Sequence, residues 1–589
     1  ASMEHQYMLT EAMPEIQALD FRVPLLRCPI SDFYQRQEKD GLLIGFYEQD
    51  CKTWGMDGID PGFSNALCPD DLDRVVDVME GAIGRLPALE TAGIHTIING
   101  PITYTHDGAP LVGKIPGLRN AYCITGLRAG VGEGGGHGWL LAQIIARGEA
   151  CYDTWCIDPR RFTPAVTVET TALKAIEDYQ NEFRFHMPHE HRPAGRPLRT
   201  TPLYDRLAGL GAHYAPVNGW ERAEFYAPDP SFKPDLSFSY GNLHDVVEAE
   251  VKAVQSGVGI MEVNGFNRFE ILGKDVHQWL DGIMCSNVSR KPGKVGLAYY
   301  LNEHGNVKGE VTLANLEGGA NLEGDKVWYG SAAASEIHDM EWLQDRLPAG
   351  GSITVTSLTD SHDILVVAGP KSRELLQSVA PRTNWSDFRW LTVQNVFVGH
   401  IPAVAMAVSF SGELAWELHI ASSQVRAAYD LIWANGADFG LKPFGLLATE
   451  SLRLEKGYLH WKADLITEFN PIETGLSRFV STKKDFAGKP ALDKMIADGP
   501  RRVLTMFEVD DDKAAPHPGD SVMDGDTVVG TVTSSGYGHR VGKTLAIAFV
   551  DPAYSKLDTA VQFEYLGRTA DGRAVEMCQY DPDNTLVRQ

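Results

Sequence analysis

Phe410-Ser411-Gly412-Glu413-Leu414-Ala415-Trp416-Glu417-Leu418-His419-Ile420 is the stretch from which the rest of the chain can be read. Just upstream, Val404, Met406 and Val408 alternate with smaller residues, the pattern of a half-buried strand. Ser411-Gly412-Glu413 is short and contains glycine, so the chain can reverse there. On the return strand Trp416, Leu418 and Ile420 point one way, while Ala415, Glu417 and His419 point the other. With the Trp face in a core, Glu417 is aimed at water or into a cleft. Taken alone, the pattern also fits an ordinary solvated sheet carboxylate.

Two further segments bear on that choice. Phe444 to Tyr458, containing Glu450-Ser451-Leu452-Arg453-Leu454-Glu455, is built of good helix formers and stops at Gly457. Gly530-Thr531-Val532-Thr533-Ser534-Ser535-Gly536 is followed by Ala546-Ile547-Ala548-Phe549-Val550. Hairpin, helix and this last pair, in that order, resemble the glycine-cleavage T-protein family. Its patterns run approximately Y-T-G-E-x-G-aromatic-E, then S-L-R-L-E-x-G, then G-x-V-T-S-G…A-x-x-x-V. The resemblance implies a folate-binding core closed by a small C-terminal β-barrel, which the short strands and turn residues after Arg501 also favour.

A second hairpin joins Tyr299-Tyr300-Leu301 to Val307–Leu316 through Asn302-Glu303-His304-Gly305-Asn306. On its second strand Glu310, Thr312 and Ala314 share a face opposite Val311 and Leu313. The resemblance places Glu310 where the T-protein family usually carries Asp, the residue that positions tetrahydrofolate's N5/N10 edge and handles a proton. A glutamate there is one methylene longer, as in mammalian-type dimethylglycine dehydrogenases. Two carboxylates suit the chemistry. A pterin presents a ring N–H and an exocyclic NH2 as parallel donors that match one ionised carboxylate, the task expected of Glu417. The reacting end needs a second carboxylate to steer or accept a proton, the task expected of Glu310. Phe410 stands where the family commonly has Tyr, and a lost hydroxyl bond weakens binding by about 0.5–1.5 kcal/mol. Tyr300 and Arg540 complete the expected folate contacts, with Arg540 reaching a folate carboxylate or else lying on the surface.

The N-terminal third has another texture. His5-Gln6-Tyr7-Met8-Leu9-Thr10 reads as a strand interior, Phe33–Arg36 and Gly41–Tyr47 as further strands, and Asp71–Leu86 as a helix. A strand over Ala121–Thr125 leads through Gly126 into Gly130-Val131-Gly132-Glu133-Gly134-Gly135-Gly136 and a helix. Gly130, Gly132 and Gly135 satisfy G-x-G-x-x-G, but no second parallel strand with an acidic residue follows, which argues against a dinucleotide fingerprint. A glycine-lined helix start still lets backbone N–H groups approach a flat ligand edge or a phosphate; a tight packing turn is the other reading.

The order Asn99-Gly100-Pro101-Ile102-Thr103-Tyr104, Asp107, Pro110, Val112-Gly113, then the glycine run, resembles the C-terminal half of the flavin domain in dimethylglycine and sarcosine dehydrogenases. Gly195-Arg196-Pro197-Leu198-Arg199-Thr200 and Gly219-Trp220-Glu221-Arg222 resemble that family's central linker. The likeness implies His5 and Tyr34 as catalytic residues lining the flavin's substrate face, and Asp107, Gly126, Gly130, Gly135 and Gly136 as FAD contacts. Amine oxidation by hydride transfer needs a neutral nitrogen, hence a desolvated site with a base or hydroxyl nearby. It also implies that the N-terminal half of the FAD-binding domain is missing, whether lost or supplied by a separate subunit.

Composition sets outer bounds. At 589 residues the chain holds several domains, and 43% apolar with 22% charged residues is ordinary globular usage. A net charge of -25 argues against nucleic-acid or anionic-membrane partners. Eight cysteines without a C-x-x-C read as scattered thiols, and His186, His189 and His191 lie in Pro-bearing linker, so no metal is expected. The first residues lack signal-peptide character and the Trp139–Ala146 apolar run is too short to span a bilayer, so a cytoplasmic protein is expected.

The expected fold class is an α+β multidomain chain. Residues 1–163 form part of an FAD-dependent amine oxidoreductase domain with a mixed sheet plus helices, and 164–235 a central linker domain. Residues 236–495 form an aminomethyltransferase-like folate domain, and 496–589 a β-barrel. The resemblance implies FAD-linked oxidative N-demethylation of a methylated glycine of the dimethylglycine or sarcosine type, with the one-carbon unit captured by tetrahydrofolate. The alternatives are a stand-alone tetrahydrofolate-dependent aminomethyl- or methyltransferase and a non-catalytic folate-binding subunit of a flavoprotein complex.

Overall fold

The computed structural model describes residues 1–316 and 325–589. They fall into two compact units, Ala1–Leu198 and Arg199–Gln589.

In the first unit the Ser2–Thr10 strand is central. The sheet runs Leu26–Cys28, Phe33–Glu38, Gly41–Phe46, Ser2–Thr10, Thr53–Trp54, with Ile94–Thr103 also pairing with Ser2–Thr10. Every one of these pairings is antiparallel. Alternation along Ser2–Thr10 sends Met8 into a core with Phe33, Ile44, Phe46 and Val78, the last from helix Val76–Arg85. Met3, on the other face, packs with Tyr104, Ala175 and Tyr179. The last two come from helix Val168–Gln180, which starts on a capping box at Thr167 and Thr170. The expected helix from Asp71 begins as a 3-10 turn at Leu72–Val75. Tyr122–Thr125 pairs with Leu111–Lys114 in a two-stranded antiparallel ribbon. The glycine run therefore does not follow a strand of a parallel sheet, as a dinucleotide fingerprint requires.

The second unit holds two facing sheets and a barrel. The first sheet runs Val393–Val398, Ile401–Met406, Ala415–Ala421, His362–Ala368, Val258–Glu262, Leu441–Pro443. Trp416, Leu418 and Ile420 enter a core with Trp385, Phe388 and residues of helix Ser422–Asn435. The second sheet runs Val295–Leu301, Val307–Leu316, Asp325–Ser331, Asn267–Gly273, Ile353–Ser357. Its outer face packs Tyr300, Val311, Leu313, Tyr329 and Phe269 with Leu280 and Trp342. Its inner face brings Val295, Ala314, Leu316 and Trp328 against Val393 and Met406 of the first sheet. The segment Ile260–Ile271, which reads as one strand, is two strands broken at Gly265 (φ +72), where the Trp220 ring fills the space of a side chain. Six strands between Val503 and Val575 close the C-terminal barrel. Among the described residues no helix is long and apolar enough to cross a membrane.

Candidate functional site

In the second unit, Glu417 and Glu310 stand on the faces that the two sheets turn toward each other. Met406 is opposite Glu417 in register and packs in the inter-sheet layer, so Glu417 shares that face. Glu310 lies on the Ala314 side of its strand, the side facing the same layer. Arg268 belongs to the same sheet face as Glu310. Its Nη1 and the Thr312 Cβ each come within 3.8 Å of where a Cβ at Gly330 would stand.

The electrostatics differ at the two acids. Glu310 is pushed up to about 7 by burial, partly opposed by the Tyr299 hydroxyl, which donates to Oε2 at 2.6 Å. Glu417 moves the other way. Burial alone would raise it, but the His419 ring 3.1 Å away and the Arg268 charge hold it below the ordinary carboxylate value. His419 is pushed down to about 4 by burial and by Arg268, so at neutral pH the ring is uncharged. Trp328 sets its ring edge-on to His419, with centroids 5.8 Å apart. Buried Arg268 has an Nε without a hydrogen-bond partner among the described residues. A poised acid, an ionised acid and an unsatisfied guanidinium N–H thus share one layer, a donor–acceptor set matching a ligand that offers both N–H groups and a carbonyl.

Two expected folate contacts fall elsewhere. Tyr300 is fully buried on the opposite sheet face, donates its hydroxyl to Asp339 at 2.7 Å and stacks on Trp342 with centroids 3.9 Å apart. Strand alternation explains the correction, since its neighbour Tyr299 takes the Glu310 side. Arg540 is neither a surface residue nor open to a ligand. Its Nη1 donates to Glu413 at 2.8 Å, its Nε to Glu455 and its Nη2 to the Leu452 carbonyl at 2.8 Å, with the Tyr580 ring 3.9 Å away. It ties the Ser411–Glu413 turn and helix Leu446–Glu455 to the barrel. Phe410 is exposed at the turn and stacks on Tyr458, centroids 6.1 Å apart.

In the first unit His5 and Tyr34 meet. His5 Nε2 is 3.2 Å from the Tyr34 hydroxyl and Nδ1 is 3.0 Å from the Tyr179 hydroxyl. Burial, then the Arg74 charge, pushes the ring down to about 4. Tyr34 lies across Gly45, where any side chain would strike its ring. Its hydroxyl is pushed up to about 12 by burial, and Tyr47 packs on His5 with centroids 4.7 Å apart. Asp107 is engaged internally: its two oxygens take Arg161 at 2.7 and 2.8 Å, and one also accepts Ala109 N–H at 3.1 Å. It braces a loop rather than offering a ligand contact. Gly126 serves a turn with φ +75, where a Cβ would meet the Thr105 methyl.

The glycine run is different in kind. At Gly130, Gly132, Gly134, Gly135, Gly136 and Gly138 a Cβ would meet nothing within 4 Å. Most lie inside helix Gly130–Arg147, where each costs about 1 kcal/mol relative to alanine. Neither packing nor a positive φ calls for them, so the surface fits close approach by a group outside the polypeptide.

Sequence comparison divides the chain in the same way. Residues 2–148 match the FAD dependent oxidoreductase family and 147–201 the FAD dependent oxidoreductase central domain. Residues 203–484 match the GCVT N-terminal domain and 502–581 the glycine cleavage T-protein C-terminal barrel domain. Mouse mitochondrial sarcosine dehydrogenase is 30% identical over 100% of this chain and 68% of its own length. The chain belongs to the dimethylglycine/sarcosine dehydrogenase family.

Mouse mitochondrial dimethylglycine dehydrogenase is 35% identical over 96% of this chain, which spans 66% of that relative, just under two thirds. The aminomethyltransferase T of the Bartonella henselae glycine cleavage system aligns over 65% of this chain and 98% of its own, with TM-score 0.56 at 20% identity, a likeness of fold. The match to the oxidoreductase family begins at residue 2, so the expectation of a missing N-terminal half finds no support here. Nor does a cytoplasmic location, since these dehydrogenase relatives are named as mitochondrial. Sequence patterns missed Arg268, His419 and Tyr299 around the acids, and Tyr179 behind His5. Tyr299 carried a usable signal in its register opposite Glu310, and His419 in the alternation that sets it on the Glu417 face.

Proposed function

We propose that this chain takes part in FAD-linked oxidative N-demethylation of a methylated glycine of the dimethylglycine or sarcosine type, with the released one-carbon unit passed to tetrahydrofolate. The observation that carries this reading is the pair Glu310 and Glu417 on facing sheet surfaces, with Arg268, on the Glu310 sheet and coupled to the Glu417 charge, holding an unpartnered N–H. That set fits a reduced pterin. Ionised Glu417 accepts its paired N–H donors, Arg268 donates to its carbonyl, and Glu310, half ionised near neutrality, exchanges a proton at the reacting end. The open glycine run and the His5–Tyr34 pair fit a flavin and an amine in the first unit. When bound, FAD supplies a hydride acceptor and tetrahydrofolate a nucleophilic nitrogen. Around them His5 and Tyr34 orient and deprotonate the amine, and the Tyr47 ring beside them keeps water off.

A separate flavin-binding subunit stays within the proposal as a donor of the dinucleotide contacts. The test is visible absorbance of the purified chain after incubation with FAD, followed by calorimetric titration with tetrahydrofolate. Uptake of both is expected. Flavin uptake by the chain alone would remove the separate subunit. Tetrahydrofolate binding without flavin uptake, even with such a subunit present, would turn the reading to a folate-dependent aminomethyltransferase. Unchanged tetrahydrofolate affinity in Glu417→Gln would overturn the pterin site.

A further inference from the structure

Behind Tyr34 and His5 the first unit continues a hydrogen-bonded file that ends on a buried acid. The Tyr179 hydroxyl donates to Glu48 Oε2 at 2.9 Å. Glu48 is 1% exposed, and its other oxygen lies 3.1 Å from Arg74 Nη2. Arg74 in turn meets Glu4 at 3.2 Å.

An ionised carboxylate only accepts, and this fixes the direction of every bond in the file. Tyr179 has one hydroxyl proton and two acceptors in reach, the Glu48 carboxylate at 2.9 Å and the Phe46 carbonyl at 3.3 Å. The proton goes to the nearer, charged oxygen, so the Tyr179 oxygen accepts from His5 Nδ1–H. Nε2 of the neutral ring is then an acceptor, and the Tyr34 hydroxyl donates to it. The half-buried end of the file is therefore the Tyr34 oxygen, its lone pairs free to accept. We propose that Glu48 is the proton acceptor for the substrate's ammonium group, reached through Tyr34, His5 and Tyr179. This rests on the amine-oxidising reading above.

The step balances. The ammonium N–H bond breaks and its proton joins the Tyr34 oxygen as Tyr34 passes its own to His5 Nε2. His5 Nδ1 releases its proton to Tyr179, and Tyr179 releases its own to the Glu48 carboxylate. The amine keeps its lone pair, the ring ends as the other neutral tautomer, and no imidazolium forms. The surroundings suit such a route: burial and Arg74 disfavour a charged His5, and burial pushes Glu48 up toward proton uptake. The charged and titratable groups facing the file are Arg74, Glu4, Asp50, Cys51, Tyr47 and Tyr104, with Tyr7 and Arg36 around Tyr34.

The test is nitrogen NMR of the full chain carrying 15N-histidine, with His5→Asn to assign the signal. The expected result is a neutral His5 with its proton on Nδ1. Glu48→Gln, whose amide can donate to the Tyr179 oxygen, should move that proton to Nε2, and Tyr179→Phe should remove the preference. A wild-type proton on Nε2, or an unchanged signal in both variants, overturns the file. In enzyme loaded with FAD, kcat/KM for dimethylglycine in Glu48→Gln should track the amine's own ionisation, rising about tenfold per pH unit below the amine pKa. Wild type should show a shallower dependence, and parallel profiles overturn the acceptor role of Glu48. Absence of any amine turnover, with the Nδ1 proton in place, would instead sink the amine-oxidising reading and leave the bond directions standing.

Discussion

The Tyr299 hydroxyl donates to Glu310 Oε2 across 2.6 Å, between residues directly opposite in the hairpin register. That bond favours the ionised carboxylate and opposes the burial that pushes Glu310 up to about 7. Tyr299→Phe should therefore raise the Glu310 pKa further. Folded Glu310 holds its proton more tightly than the unfolded chain does. Its contribution to stability is then most favourable below the unfolded pKa and is lost as pH rises through about 7. In the variant this loss should extend to higher pH, and any rate limited by Glu310 as base should peak later. Urea unfolding and single-turnover transfer, each followed across pH, measure the two effects. Coincident profiles would remove Tyr299 from the site.

Arg268 and Glu417 are coupled charges on facing sheets, and their substitutions should not be equivalent. Glu417→Gln removes a negative charge that favours the buried Arg268 guanidinium and should destabilise the chain, by about 1 kcal/mol since no Arg268–Glu417 ion pair within 4 Å is broken. Arg268→Gln leaves Glu417 beside uncharged His419, with burial less opposed, so the carboxyl rises and fewer molecules are ionised. Tetrahydrofolate affinity should fall by about 1.5–3 kcal/mol, the worth of a bond to a charged group, and by most at the acid end. Calorimetry across pH tests this. A loss of affinity independent of pH would mean Arg268 acts without Glu417.

Period-two alternation made the two acids legible before any coordinates, because strands with one apolar face announce the other. The same regularity misplaced Tyr300: a run of two tyrosines sends one ring to each face, and only the pairing with Glu310 says which. Arg268 was hidden because the break at Gly265 splits what reads as one strand, and its value depends on the sheet opposite. Glu48 and Tyr179 are more than a hundred residues apart and meet only because helix Val168–Gln180 covers the Ser2–Thr10 strand. No local pattern records that. Arg540 misled because its partners Glu413 and Glu455 sit inside the motifs that carry the family resemblance.

Buried Arg540 is braced by two carboxylates and a carbonyl, so its removal should be a stability event. Arg540→Met strands Glu413 and Glu455, both nearly inaccessible, and should cost about 3–5 kcal/mol. Tetrahydrofolate affinity measured on the remaining folded fraction should be unchanged. Paired urea melts and calorimetry separate the two outcomes, and a loss of affinity without loss of stability would restore Arg540 as a ligand contact.

The glycine run offers the sharpest separation of folding from function. Gly135 and Gly136 lie inside a helix, without positive φ, and a Cβ at either would meet nothing within 4 Å. Alanine at each should stabilise the chain by about 1 kcal/mol through the backbone freedom removed from the unfolded state. If these glycines exist so that a flavin can approach the helix backbone, the same Gly135→Ala and Gly136→Ala changes should weaken flavin uptake. Stability and binding would then move in opposite directions, which ordinary structural damage does not produce. Thermal unfolding of the ligand-free chain and quenching of flavin fluorescence on titration give the two readings. A more stable chain with undiminished flavin uptake would show that the flavin does not contact this helix.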